Sequence, residues 1–338
     1  GQFYFKEMTV LKVMFGAIVT AMVLIFAASG LGLLDYNLIY VNTTYLWPDI
    51  VGGLIMGVGF IVGGFCPGTS LVAMATRKID GLFFVLGGLF GIFLFGETVD
   101  LFAGFWNSSY LGRLTLQDWL GLPVGIVVLA IVLMALFMFW GGEHLERIFG
   151  GKDLKREPKV RYAGAGALAL AAVIVVLIGQ PTTSDKWQAL EPDKAPLLAE
   201  RAVQIHPGEL LDALHSDALK VILLDIRNEA DYNIFHIAGA RRVTLAELSD
   251  LIPSLLLEPA NTIFVTVSND ETAATEAWKL LTAESVPNAY ILERGINGWL
   301  DTFASADPAL RKSTPAAGDD RLRYEAAMAL GARSPAAT

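Results

Sequence analysis

Residues 50–76 read IVGGLIMGVGFIVGGFCPGTSLVAMAT, an uncharged apolar run long enough to cross a membrane but interrupted by Gly63-Gly64-Phe65-Cys66-Pro67-Gly68-Thr69. A helical crossing of a hydrocarbon layer takes about 20 apolar residues. Proline supplies no backbone N–H and drives the residue before it out of helical geometry, so the helix is expected to break at Cys66, the chain's single cysteine. At membrane depth a break is tolerated only where the backbone is buried in protein or lines a watery cavity. Thr69 and Ser70 are residue types that cap helices, which predicts a short helix running to Thr76 with its N–H groups facing the break. A helix N-terminus, two hydroxyls and a thiol around a polar gap suit an anion, and Cys66, Pro67, Gly68, Thr69 and Ser70 are the candidate binding residues. Gly53/Gly57, Gly59/Gly63 and Gly64/Gly68 stand at a spacing that lets helix backbones approach closely, and close packing alone is the alternative reading of these glycines. The alternative for Cys66 is a small buried apolar residue.

The rest of the chain fits a membrane reading. Of 338 residues, 54% are hydrophobic and 17% charged, and the mean hydropathy is +0.51, too apolar for an ordinary soluble protein. The excess lies in residues 1–180, whereas 181–338 read as an acidic mixed α/β sequence. The net charge of −9 and the lack of a basic face in the soluble part exclude a nucleic-acid surface. Five spans are predicted: Val13 to Leu34, Ile50 to Phe65 with its broken continuation, Leu82 to Phe105, Leu122 to Trp140, and Ala163 to Ile178. The chain opens on Gly1 rather than Met, so residues are expected upstream.

Lysine and arginine favour cytoplasmic loops. Lys6 and Lys12 precede span one, Arg77 and Lys78 follow span two, and Arg147, Lys152, Lys155, Arg156, Lys159 and Arg161 crowd the loop before span five. The N-terminus is therefore expected inside and everything after Gln180 outside, in the periplasm of a bacterium. Trp47, Trp106, Trp119 and Trp140 fit interfacial anchors. At about 1.5 Å per residue from Ile50, Cys66 falls nearer the cytoplasmic side.

The run from Gly57 through Gly59, Gly63, Gly64, Cys66, Pro67, Gly68 and Thr69, followed by Gly87, Gly88 and Gly91, resembles the YeeE/YedE sulfur-transport family over roughly residues 10–140. The resemblance implies an inner-membrane permease for thiosulfate or a related sulfur anion, with a path lined by cysteines from two internally repeated halves. A thiol can donate a weak hydrogen bond to such an anion, or exchange sulfur with it as thiolate. This chain holds one half and one cysteine, so the resemblance implies a homodimer or a partner membrane subunit. Glu97 and Asp100, at the outer end of span three, read equally as functional acids and as interfacial residues.

From Val221 to Leu300, short apolar strands at Val221 to Asp225, Thr262 to Val267 and Ala289 to Leu292 alternate with a helix at Thr272 to Ala283, a parallel βαβ pattern. Asp225-Ile226-Arg227, Asp231-Tyr232, His236-Ile237-Ala238-Gly239-Ala240 and Leu292-Glu293-Arg294-Gly295-Ile296-Asn297-Gly298-Trp299 resemble the rhodanese family over residues 203–303. That family implies a cysteine at the end of the central strand, opening a loop that cradles a persulfide. Here Val267 holds the cysteine position, and Ser268, Asn269, Asp270, Glu271 and Thr272 form a degenerate loop. Sulfur transfer needs a thiolate beside positive charge or converging N–H groups, so the domain is expected to be catalytically inactive. His236 is expected to pack within the fold, and His206 and His215 to lie on the surface.

The whole is a multi-pass α-helical membrane domain (1–180) and an α/β rhodanese-like domain (203–303). They are joined by a linker (181–202) whose residues Pro181 to Leu198 are expected to act as a semi-flexible spacer. An Ala/Pro-rich tail (304–338) closes the chain, with a short helix expected at Arg321 to Leu330. No metal or cofactor is expected. Three functions compete: a sulfur-anion transporter or half-transporter with an inert periplasmic binding or docking domain, a non-transporting accessory or scaffold subunit, and an active sulfurtransferase. Val267 speaks against the third.

Overall fold

The computed structural model describes residues 8–151, 160–304, 310–312 and 320–326. Lys6, Lys152, Lys155, Arg156 and Lys159, part of the charge argument for orientation, lie outside the described residues. In chain order the membrane half holds α1 (Thr9–Gly30), a 3-10 turn (Tyr36–Leu38), β1 (Thr44–Tyr45), α2 (Leu46–Gly63), α3 (Pro67–Ala75) and α4 (Ile79–Thr98). After a second 3-10 turn (Val99–Phe102) come α5 (Ala103–Trp106), β2 (Tyr110–Gly112, antiparallel to β1), α6 (Leu116–Leu120), α7 (Val124–Phe149) and α8 (Val160–Ile178). Among the described residues, five segments are long and apolar enough to cross a membrane: Leu11–Gly30, Leu46–Ala75, Ile79–Trp106, Val124–Phe149 and Val160–Ile178. The second carries the break. The fourth runs beyond Trp140 to Phe149 and takes Glu143 and Glu146 with it.

The chain divides into two compact units, residues 41–119 and the remainder. In the first, α3 packs along α4 where Gly81 is buried; a Cβ there would stand 2.6 Å from the Ala73 Cβ and 2.8 Å from the Met74 nitrogen. Only glycine permits that approach. In the second unit, α1, α7 and α8 bury Val19, Val23, Val128, Val132, Ala135, Ala172 and Val175 against one another. At one end of this trio Glu146, 1% exposed, accepts hydrogen bonds from Lys12 Nζ at 2.6 Å and from the Met8 backbone at 2.5 Å. Burying that carboxylate is tolerable because a cation and an N–H meet it.

Residues expected to form a spacer are instead helix α9 (Thr183–Ala199). Thr182 and Asp185 form a reciprocal capping box, which starts the helix despite Pro192 and Pro196 inside it. Trp187 meets Trp278 edge-on at 5.9 Å, and Leu197 and Leu198 pack with Val203, Trp278 and Ile291. Docking of this apolar face outweighs the hydrogen bonds the prolines remove.

The α/β domain follows as β3 (Gln204–Ile205), α10 (Pro207–Leu214), β4 (Lys220–Asp225), α11 (Glu229–Ile234), β5 (Arg241–Arg242), α12 (Leu245–Leu255), β6 (Thr262–Val267), α13 (Thr272–Ala283), β7 (Ala289–Leu292) and α14 (Gly295–Phe303). Its sheet is wholly parallel, in the order β3-β7-β6-β4-β5. Period-two alternation sends Leu223, Val265 and Val267 to a core with Leu210, Ile296 and Trp299, and Leu224 and Phe264 to a core with Leu248, Ile252 and Leu281. The three longer strands and α13 lie where the alternation places them. The expected helix from Arg321 is corrected over the described residues: β9 (Tyr324–Ala326) is extended and pairs antiparallel with β8 (Leu310–Lys312). Residues 327–330 lie outside the described residues.

Candidate functional site

Helix α2 ends at Gly64, which takes the left-handed conformation at φ 68° and donates its N–H to the Phe60 carbonyl. That conformation is costly for any residue with a Cβ. Cys66 is extended, at φ −92° and ψ 164°, and α3 begins at Pro67. The break falls at the cysteine, as the proline dictates.

The cap differs from expectation. It is Cys66 itself that caps α3, not Thr69 or Ser70: the thiol sulfur accepts the Thr69 N–H at 3.3 Å, while Thr69 Oγ1 accepts the Cys66 N–H at 2.9 Å. The single Thr69 hydroxyl proton serves either the Cys66 carbonyl (3.1 Å) or the sulfur (3.2 Å). Sulfur used as an acceptor in this way keeps its own proton for an acceptor elsewhere. Pro67, Gly68 and Thr69 are exposed and Cys66 is half-buried. Ser70 is turned away: it is 2% exposed, and its hydroxyl donates to the Pro67 carbonyl at 2.7 Å. The structure therefore brings Cys66 and Thr69 together and withdraws Ser70. Beside α2 and α4, within the same unit, runs an apolar groove of about 730 Å³ whose lining includes Gly52, Ile55, Gly88, Gly91 and Phe95. Among its lining residues none carries a charge to meet an anion.

In the α/β domain the loop after β6 sits at the carboxyl ends of the strands, where such sheets form binding crevices. Val267 and Ser268 are fully buried, and Ser268 Oγ accepts the Ala274 N–H at 3.2 Å. The first N–H groups of α14 hold the loop carbonyls, Ile296 to Ser268 at 2.8 Å and Asn297 to Asn269 at 3.0 Å. Gly295 permits this contact, since a Cβ there would lie 2.1 Å from the Asp270 carbonyl oxygen. Below the loop, Arg227 (3% exposed) grips Asp225 (0%) through Nε at 2.9 Å and Nη2 at 2.8 Å, and reaches the Phe235 carbonyl at 2.6 Å and Asn269 Oδ1 at 3.1 Å.

The acids of the loop are engaged. Glu271 binds Arg201 at 2.7 Å and accepts the Arg294 N–H at 2.6 Å, and this hydrogen bond to Glu271 holds Arg201 still more firmly protonated. Asp270 accepts the N–H of Thr272, the first residue of α13, at 2.7 Å. Burial pushes its carboxyl up, but the Thr272 N–H and the Asp320 side chain outweigh it and the net shift is downward. His236 stacks on Tyr232 at 4.1 Å and bonds the Tyr232 carbonyl at 2.9 Å, within the fold as expected.

Two features escaped the sequence. The segment Asp320 to Tyr324 lies over the loop, with the Asp270 N–H donating to Asp320 Oδ1 at 2.9 Å. Glu284, at the end of α13, accepts from Asn37 (2.7 Å), Thr183 (2.6 Å) and Lys186 (2.5 Å), and Ser285 donates to Asp35. This joint ties the α/β domain to the loop after α1.

Fold and site together define a multi-pass helical membrane protein carrying a parallel α/β domain. A family model described as Sulphur transport matches residues 1–192, more than half of the chain, and the chain belongs to that family. A model described as Rhodanese-like domain matches residues 206–302. Among solved structures, the rhodanese-like domain of an Anabaena sp. protein is 21% identical over 35% of this chain and 92% of its own, with a TM-score of 0.27. A thiosulfate sulfurtransferase from Pseudomonas aeruginosa is 23% identical over 36% of this chain and 22% of its own, with a TM-score of 0.27. No curated protein matches the chain.

Proposed function

We propose that this chain passes thiosulfate or a related sulfur anion across a bacterial inner membrane past Cys66, with its rhodanese-like domain a catalytically inert binding or docking module on the periplasmic side. The observation that carries the reading is the interrupted span: an otherwise apolar crossing opens at a half-buried thiol that caps the next helix. The thiol proton, left over after the sulfur accepts from Thr69, is the donor offered to a soft anion. Inertness of the outer domain follows from composition, since the chain's one cysteine lies at position 66 and Ser268 is buried and engaged as an acceptor. The contact between the loop after α1 and Glu284 supports placing that loop and the domain on one side.

A single chain supplies too little for a path. The α2–α3 span has none of its apolar window buried, and Gly52, Gly53, Gly57 and Gly59 face open space. A second copy or a partner membrane subunit therefore completes the conduit. The same bare surface favours, as a second reading, a non-transporting accessory subunit packed against a larger protein. Uptake of labelled thiosulfate by cells expressing the chain, with Cys66→Ser alongside, separates them. Uptake that Cys66→Ser leaves intact removes Cys66 from the path; absence of uptake, alone and with a partner half, favours the accessory subunit.

A further inference from the structure

The C-terminal segment seats itself on the rhodanese-like loop in the manner of a bound peptide. Asn297, 1% exposed on α14, reads its backbone in both directions: Nδ2 donates to the Arg321 carbonyl at 2.9 Å and Oδ1 accepts the Arg323 N–H at 2.7 Å. Asn269, 2% exposed, donates to the Asp320 carbonyl at 3.3 Å. Alternate side chains anchor the segment, Leu322 (7% exposed) and Tyr324 (5%) entering the core that holds Ile296 and Trp299. Tyr324 donates to Asp301 at 2.5 Å. Main-chain bonds from fixed amides, with every second side chain in a pocket, are how extended peptides are recognised.

The segment is not part of the sheet it covers. The five parallel strands close without it, the rhodanese-like match ends at residue 302, and among the described residues β9 pairs with β8 and with no strand of that sheet. Its first residue sits against a like charge, Asp320 beside Asp270. Burial and the Asp270 charge push the Asp320 carboxyl up to about 6.

We propose that the mouth of this loop is an extended-peptide-binding groove whose resident ligand is the chain's own Asp320–Tyr324 strap, so that the strap must lift before any external ligand reaches the loop. This rests on the reading of the domain as a binding module but not on transport, so a negative uptake experiment leaves it standing. The probe is a fluorescent peptide of residues 318–326, GDDRLRYEA, titrated by anisotropy into the purified full chain and into a chain ended after Lys312. The shortened chain is expected to bind at least about tenfold more tightly than the intact one, and Asn297→Ala within it to lose about tenfold or more. Equal binding by the two chains, or no binding by a shortened chain whose β6 amides stay protected, overturns the proposal.

Amide exchange in the intact chain gives a test that needs no truncation. The Asp270 and Arg323 amides, bonded across the strap contact, are expected to exchange at least about tenfold faster than the Ile296 amide, bonded within the loop. Exchange of all three at one rate would make the strap inseparable from the domain and overturn the proposal.

Discussion

Replacing Arg227 by alanine is expected to cost the α/β domain about 4 kcal/mol, within the range of about 3–5 kcal/mol for removing one partner of a buried ion pair. The figure follows from what the guanidinium touches. Asp225 has no exposed surface and would be left buried without its cation, while the Phe235 carbonyl and Asn269 Oδ1 would each lose a donor. Orphaned buried acceptors cost about 1–3 kcal/mol each when nothing relaxes. The losses share one hub and do not add, and water entering the space left by the side chain offsets part of them. A small domain is stable by about 5–15 kcal/mol, so this one substitution removes a large share.

Native-state amide exchange of the full chain in detergent, read on the peptide covering Thr262–Val267, should show protection falling by about a thousandfold, which is 4 kcal/mol at about 1.4 kcal/mol per tenfold. The helices α1, α7 and α8 should exchange as before. Asp225→Asn in the Arg227→Ala background should recover part of the loss, because it removes the unpaired charge. A loss below about 1 kcal/mol, the level of an exposed pair, or strict additivity of the two substitutions would refute the hub as described.

Gly81→Ala should lower the melting temperature of the membrane half, since its Cβ would meet helix backbone at 2.8 Å and overpacking costs about 1–3 kcal/mol; Gly87→Ala, which meets nothing within 4 Å, is the matched control and should melt as the parent does. Val267→Cys should not produce sulfurtransferase activity with thiosulfate and cyanide, because position 267 is fully buried in the core; measurable turnover would contradict that placement. Asp320→Asn should flatten the pH dependence of strap opening, read by exchange of the Asp270 amide. The sign follows from Asp320 being raised from the free carboxyl value to about 6: its protonation favours the seated strap, a contribution complete below the free carboxyl range and lost as pH rises through 6, so opening should increase from about pH 4 to about pH 6 and level off above it. The groups facing Asp320 from elsewhere are Asp270 on the loop and, behind Asn269, Asp231 and Arg227.

What local signals could carry was legible. Pro67 placed the break at Cys66 because its geometry acts on its own neighbours, and the alternation in Lys220–Asp225 and Thr262–Val267 marked strands whose two faces enter different cores. The five candidate spans among the described residues followed from composition alone. The spacer reading of Pro181 to Leu198 fails because the Thr182-x-x-Asp185 capping box, a local signal, starts a helix there, and the Trp278 face that holds it comes from a distant part of the chain. Ser70 looked like a cap by type, but a cap is a matter of register, and one turn of α3 gives that position to the Cys66 thiol.

The sequence by itself determined that this is a membrane chain with apolar segments long enough to cross a bilayer, one of them broken at its only cysteine, and that its α/β domain contains no cysteine. Composition, proline and residue identity act locally or not at all, so one dimension suffices for them. Tertiary structure decided that Glu284 joins the domain to a loop 247 residues away and that Asp320 covers a loop 50 residues before it. Such contacts depend on which surfaces remain open after the sheet and helices have packed, and no run of neighbouring residues encodes that.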